Sequence, residues 1–227
     1  MVVMPLFRNL VGSALVGAGF EGASGAELVV PGQTVLFGFF VGGSVGFSVY
    51  REHGWRTWDR LRSSSASPRA LLAGFALPWI LIHVLYSAVL LVVGGALIGL
   101  RLNGGSPLAV LVMLVAYGCC VVALMLLATA TFRTVNQLNG LQNVGAMVFA
   151  GLGGALVPSE QLPGWAQALG PFTPAHWAMQ GHRSIFLEQG SVVDVAVPAL
   201  VLLAASAVLA VLGAARFRAD ETKEFFA

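Results

Sequence analysis

Charge is what this sequence has least of. Asp, Glu, Lys and Arg make up only 10% of the 227 residues, against about 25% in an ordinary soluble domain. Hydrophobic residues reach 57%, the mean hydropathy is +0.84, and several apolar runs exceed the roughly 18 residues that a membrane-crossing helix needs. A single soluble core of this size cannot hide such runs, so the composition specifies an integral membrane protein. The net charge of +2 comes from basic residues at the ends of apolar runs. They form no continuous basic face, which excludes nucleic acid as a partner class. The two cysteines, Cys119 and Cys120, are adjacent inside an apolar run. Neighbouring side chains diverge there, and they read as small packing residues and not as a disulfide.

The missing motifs narrow the function further. There is no GxxxxGK[S/T], so the chain has no ATP-binding loop of its own, and no HExxH or paired-cysteine pattern for a metal. No carboxylate lies within the apolar runs from residue 29 onward. Transport coupled to protons or sodium ordinarily leaves carboxylates there. The energy source is therefore expected outside the chain.

In chain order, the apolar runs predict an all-α polytopic bundle of about six transmembrane helices. The spans are 2–20, 29–50, 70–100, 107–132, 138–157 and 195–215. The first is short and carries Arg8 and Asn9, so it reads as a short or truncated span. The second carries Gly38, Gly42 and Gly46 at four-residue intervals. That spacing makes a smooth strip where another helix approaches closely, either from this chain or from a second subunit. The third has 31 positions without a charge and must tilt, kink at Pro78 or protrude. Its single ionisable residue, His83, is either a functional group or a neutral histidine bonded to a neighbouring helix.

Between the second and third spans lies REHGWRTWDRLRSSSASP, Arg51 to Pro68, the one long charged stretch. On a single helix Trp55, Trp58 and Leu61 would share one arc, opposite Glu52, His53, Arg56, Asp59 and Arg60. The reading is an interfacial amphipathic helix with its tryptophans at headgroup level, and a plain charged loop is the alternative. Nine of the twelve Lys and Arg residues fall in the loops 51–69 and 133–143 and the tail 216–227. The positive-inside rule then places these, and the C-terminus, in the cytoplasm.

The segment 158–188 holds four prolines (Pro158, Pro163, Pro171, Pro174), two tryptophans and the short helical run WAQAL. It is too broken to span and is expected to re-enter the outer leaflet, packed against protein. Glu160, His176, His182, Arg183, Glu188 and Asp194 share this outer side and read as scattered, solvated surface. An integral membrane enzyme of lipid metabolism built on His176, Arg183 and Glu188 stays open as an alternative, as does an assembly factor that binds partners through its glycine strips.

Three segments together resemble the ABC-2 type permease family, the membrane subunits of type-2 ATP-binding cassette exporters, especially the drug-resistance branch found beside daunorubicin-type efflux ATPases. REHGWRTWDRLRSSSASPRALLAGF is similar to the family's segment between the second and third spans. GLGGALVPSEQLPGWAQALGPFTPAHWAMQGHRSIF resembles its Gly-rich fifth span, its Pro-x-x-x-Leu-Pro-x-Trp turn and the continuation to an arginine, here Arg183. The order of spans, with a basic tail last, is the third likeness. The amphipathic helix that usually precedes the family's first span is not expected in the residues ahead of the first apolar run here. The resemblance implies two permeases side by side, a homodimer or a pair of related chains, and two cytoplasmic ATPase subunits that hold the ATP and Mg2+. It implies that this chain binds no cofactor itself and carries no catalytic or metal-ligating residue. The resemblance also implies that Glu52, His53, Gly54, Trp55, Trp58, Asp59, Arg60 and Leu61 form the coupling helix that docks on the ATPase. Pro158 to Trp177 would form a short re-entrant lid, with Pro158, Glu160, Leu162, Pro163, Trp165, Pro174, Trp177 and Arg183 as its marker residues in the outer segment. Membrane lipids and an amphipathic drug, lipid or other small molecule would be the remaining partners.

Overall fold

The computed structural model describes Ser13 and residues 25–65, 67–100 and 105–217. The expected first span, 2–20, therefore lies outside the described residues apart from Ser13, as does the tail beyond Phe217. The described elements are α1 (Ala26–Gly54), α2 (Trp58–Arg62), α3 (Pro68–Ile98), α4 (Pro107–Thr131), α5 (Val135–Leu152), α6 (Gly164–Leu169), α7 (Pro174–Leu187) and α8 (Ala196–Arg216), with single 3-10 turns at Ser159–Gln161 and Gly170–Phe172.

Three helices begin on the same local instruction, a hydroxyl residue followed by proline. Ser67, Ser106 and Thr173 each accept a hydrogen bond from the backbone N–H three residues on, with Pro68, Pro107 and Pro174 as the first helical residues. The hydroxyl satisfies one orphan donor, and the proline occupies a position whose missing N–H costs nothing. α5 starts on a full capping box between Thr134 and Gln137.

Among the described residues, four stretches are long and apolar enough to cross a membrane: Ala26–Gly54, Ala70–Ile98, Pro107–Thr131 and Ala196–Arg216. These are the expected spans 29–50, 70–100, 107–132 and 195–215. The expected span 138–157 differs. Its helix, α5, starts earlier and stops at Leu152, and Asn136, Gln137, Asn139, Gln142 and Asn143 make its first half polar. α4 is buried in the middle of the bundle, whereas α3 and α8 turn residues such as Leu81, Leu85, Val92, Leu200 and Val211 outward. In a bilayer those faces meet lipid.

α1 is the element the others gather on. Tyr117 of α4 donates to the carbonyl of Val35 at 2.9 Å, His83 of α3 to Gly38 at 3.0 Å, and Gln142 of α5 to Phe40 at 2.6 Å. Trp79 of α3 donates to the Ser48 hydroxyl at 2.8 Å, and Tyr50 donates to the carbonyl of Phe132, just past α4, at 3.0 Å. A carbonyl only accepts, so Nδ1 of His83 must carry the proton. His83 is thus the histidine bonded to a neighbouring helix. Its ring lies against three glycines. A Cβ at Gly38 would sit 2.8 Å from its Cε1, one at Gly42 3.4 Å from its Nδ1, and one at Gly118 2.6 Å from its Cδ2. Gly46 faces Leu138 and Thr129 in the same way. The strip Gly38, Gly42, Gly46 therefore packs helices of this chain, the first of the two possibilities read from its spacing.

The closest approach is at Gly32, where a Cβ would run into the backbone carbonyl of Ala155. Gly74, in α3, faces open space. Replacing Gly32 by Ala is expected to destabilise the protein by about 1 to 3 kcal/mol, because backbone cannot step aside as a side chain can. Gly74→Ala should be neutral or stabilising by up to about 1 kcal/mol. Thermal unfolding of the two variants in the same detergent checks both signs.

Candidate functional site

The charged stretch sits at the end of the bundle shared by the C-termini of α1, α4 and α8. It is not one helix. α1 continues through the charged residues to Gly54, and Arg56 then adopts a left-handed conformation at φ +56. The N–H of Thr57 bonds to the carbonyl of Glu52, and that of Arg56 to His53. This is a Schellman termination with arginine in the place that glycine usually fills, at a conformational cost of about 1 to 2 kcal/mol. The chain resumes as the one-turn helix α2.

The break separates the aromatic pair that a continuous helix would align. Trp58 is 5% exposed, stacked on His53 at 4.4 Å between centroids and set edge-on to Phe217 at 5.7 Å. Trp55 is 62% exposed, with the Arg51 guanidinium 5.0 Å from its ring. The expected amphipathic arc of Trp55, Trp58 and Leu61 is thus corrected: Trp58 is a wedge, Trp55 faces outward and Leu61 is half-buried. Glu52 is engaged locally, accepting the Thr57 hydroxyl, and His53 donates from Nδ1 to Val49 at 2.9 Å. Arg51, Arg56, Asp59, Arg60 and Arg62 are exposed, with Arg62 and Asp59 paired at 3.3 Å.

At the opposite end the proline-rich segment folds over the bundle. Pro163 precedes α6, which carries exposed Trp165, and the side chain of Gln167 donates to the Leu162 carbonyl at 2.8 Å. Pro174 starts α7, a regular helix of 14 residues within the segment read as too broken to span. Trp177 donates from its indole to the Pro171 carbonyl at 2.8 Å and meets His176 edge-on at 5.5 Å. Gly153 packs on Ala175, which seats α7 against the end of α5.

Because α7 is regular, its ionisable residues are sorted by face. His176, Gln180, Arg183 and Ser184 recur at helical spacing and line a cavity of about 590 Å³, whereas His182 points into the core. Pro158, Glu160, Glu188 and Asp194 line the same cavity. Five of the six groups thus gather on one cavity instead of being scattered, with Glu160, Glu188 and Asp194 exposed as expected, whereas His182 is buried and departs from the surface reading. Glu160 pairs with Arg183. Partial burial works against the Glu160 charge, but the Arg183 contact wins and holds its carboxyl below the usual range. Asp194 is also held below it, by the N–H and hydroxyl of Ser191, each at 2.7 Å. Burial lowers His176, so it is neutral at pH 7. The Ser191-x-x-Asp194 turn was the overlooked sequence feature that fixes Asp194 on this rim. No group of three His, Cys, Asp or Glu converges as metal ligands among the described residues.

A bundle of long apolar helices, with a charged clamp at one end and a broken amphipathic segment over the other, defines a multi-pass, all-α membrane protein. The family model for the ABC-2 type transporter matches residues 1–187, and the chain belongs to that family. It is 29% identical over 162 residues to the linearmycin resistance permease protein LnrN of Bacillus subtilis (strain 168), a match covering 71% of this chain and 42% of that relative. The chain thus spans less than half the relative's length. No solved structure matches it.

His182 supplies a pH test of the folded proline-rich segment. Its Nδ1 donates to the Ala178 carbonyl at 2.7 Å, and burial pushes its pKa down from 6.5 to about 4. The unfolded histidine takes up a proton below pH 6.5 and the folded one does not. Its contribution is therefore complete above pH 6.5 and is lost progressively toward pH 4, by roughly 3 kcal/mol in all. Melting of the wild type and of His182→Gln between pH 7.5 and 4.5 should show a shallower decline for the variant.

Proposed function

We propose that this chain is the permease subunit of an ATP-binding cassette exporter in the cell membrane. It moves an amphipathic small molecule, drug or lipid, and a separate cytoplasmic ATPase, loaded with ATP and Mg2+, supplies the energy. A second permease, identical or related, completes the pathway. Family membership supports the transport class, and the LnrN likeness supports a resistance-type cargo.

The observation that carries the reading is the lodging of Trp58 between His53 on α1 and Phe217 after α8. A load on α2 is thereby passed to two spans at once through aromatic contacts and not through a flexible loop. The exposed Arg56, Asp59, Arg60 and Arg62 form the face that meets the ATPase. Arg56 keeps its charge in a backbone conformation where glycine would be unstrained, which favours a role in that contact. When ATP draws the ATPase subunits together, the rigid-body motion rocks α1 and α8, and the space between two permeases changes its exposure. This puts the clamp, the basic loops and the C-terminus in the cytoplasm and the proline-rich segment outside. The lipid-enzyme reading gains a cavity but no reacting pair, since the His176 ring bonds to no nucleophile or carboxylate among the described residues.

Tagged protein purified from membranes of its own host should bring down a P-loop ATPase in about equal amounts. Charge reversal at Arg56 and Arg60 together should abolish that recovery. Trp58→Ala should retain the ATPase yet lose export, because docking survives while transmission does not. An absence of any ATPase, under conditions where complexes of this kind persist, refutes the exporter reading.

A further inference from the structure

The cavity lined by α7 is closed on one side by very little protein. Leu28, Met179 and Val197 belong to the helices α1, α7 and α8, whereas Pro158, Ser159 and Glu160 come from the connection between α5 and α6. That connection is anchored before and after the cavity. Ala155 stands against the backbone at Gly32, Pro158 is buried, and beyond the turn Ala166 of α6 is buried again. Between these anchors the turn Ser159–Gln161 has no buried residue. The Gln167 side chain donates to the carbonyls of Leu162 at 2.8 Å and Glu160 at 3.4 Å, which shapes the turn from the α6 side. Its tie to α7 is the Glu160 carboxylate on the Arg183 guanidinium. The two side chains are 44% and 26% exposed, and an ion pair so placed is weak. It biases a position without fixing it.

The cavity also gives Arg183 somewhere else to turn. Among the described lining residues Arg183 is the single cation at neutral pH, and it shares the lining with three carboxylates, Glu160, Glu188 and Asp194. Glu160 stands on the turn, Glu188 at the end of α7 and Asp194 just before α8. Asp194 is already oriented by the N–H and hydroxyl of Ser191. A guanidinium with carboxylates on both the turn and the helix ends has two arrangements of similar energy. Two such states are what a switch requires.

We propose that the Glu160–Arg183 pair is a latch on this cavity. With Arg183 on Glu160, the guanidinium bridges α7 to the turn and closes the mouth between them; with Arg183 turned to Glu188 or Asp194, that side is open. The latch is a property of the chain alone and does not rest on the exporter reading.

The test follows access to the cavity in the full chain, purified at pH 7 with any subunits it retains and held in phosphatidylcholine nanodiscs. Ser184→Cys, a close match in size at a half-buried lining position, is labelled with fluorescein maleimide, and labelling of Cys119 and Cys120 in the unsubstituted protein is subtracted. In that background Glu160→Gln should speed labelling about threefold, the scale set by a partly exposed pair. Exchanging the charges, Glu160→Arg with Arg183→Glu, should return the rate to its starting value or below, because Glu188 and Asp194 then repel the side chain at 183 instead of receiving it. Glu188→Gln with Asp194→Asn, which leaves an acceptor for Ser191, should slow labelling, since the open arrangement loses its partners. An unchanged rate in Glu160→Gln at an unchanged melting temperature overturns the latch, as does a charge exchange that labels as fast as Glu160→Gln. Where Glu160→Gln melts lower, the Glu188 and Asp194 variant decides alone: slower labelling upholds the latch, and equal or faster labelling overturns it. The measurement uses neither ATP nor cargo, so the latch and the exporter reading stand or fall separately.

Discussion

The whole bundle depends on the access that neighbouring side chains have to the backbone of α1. Its carbonyls at Val35, Gly38 and Phe40 each receive a hydrogen bond from a different helix, in addition to those they accept within α1. Such bonds contribute only about 0.6 kcal/mol each on average inside a membrane, so their value lies in direction more than in strength. Lipid tails are as apolar as the helix faces they compete with, and apolar burial alone gives little reason for one face of α3 to meet α1 rather than another. His83, Tyr117 and Gln142 provide that reason. Glycines make it possible, since a methyl group at Gly38 or Gly118 would occupy the space of the histidine ring.

That arrangement makes α1 a beam joining the two ends of the bundle. At one end it runs past the bilayer thickness, ends in the Arg56 turn and holds Trp58 through His53. At the other, Leu28 forms part of the cavity wall and Gly32 touches the backbone of Ala155. α1 thus runs unbroken from an aromatic contact at the Trp58 end to a close backbone contact at Gly32, beside the cavity lined by α7.

Much of this was written plainly in the chain. Apolar runs located the four long spans, because hydrophobic length is a property of the residues themselves. Loop charge grouped 51–69, 133–143 and the tail, and the contacts Tyr50 to Phe132 and Trp58 to Phe217 put the described parts of these at one end of the bundle. The charged stretch from Arg51 was legible as a segment but not as a shape. The sequence period from Trp55 to Leu61 suits a helix, yet Gly54 and the bonds of Glu52 to Thr57 end α1 first, and periodicity does not report a termination. The cavity lined by α7 was illegible for a different reason. Prolines at 158, 163, 171 and 174 suggested an interrupted chain throughout, but Pro174 begins a helix, and only a regular α7 brings His176, Arg183 and Glu188 to one side and sends His182 to the other.

The polar first half of α5 has a consequence for how the protein is made. A segment containing Asn136, Asn139, Gln142 and Asn143 gains little by leaving the translocation channel for lipid on its own. Gln142, however, finds an acceptor on α1 at Phe40, and Leu138 finds a seat at Gly46. α1 is synthesised earlier, so a pre-existing surface for these residues is present when α5 emerges. The four long spans have the hydrophobicity to insert unaided, whereas α5 has polar residues whose partners lie on α1, which favours an ordered insertion. A lesion on α1 would then appear as α5 left out of the membrane, well before any question of transport arises.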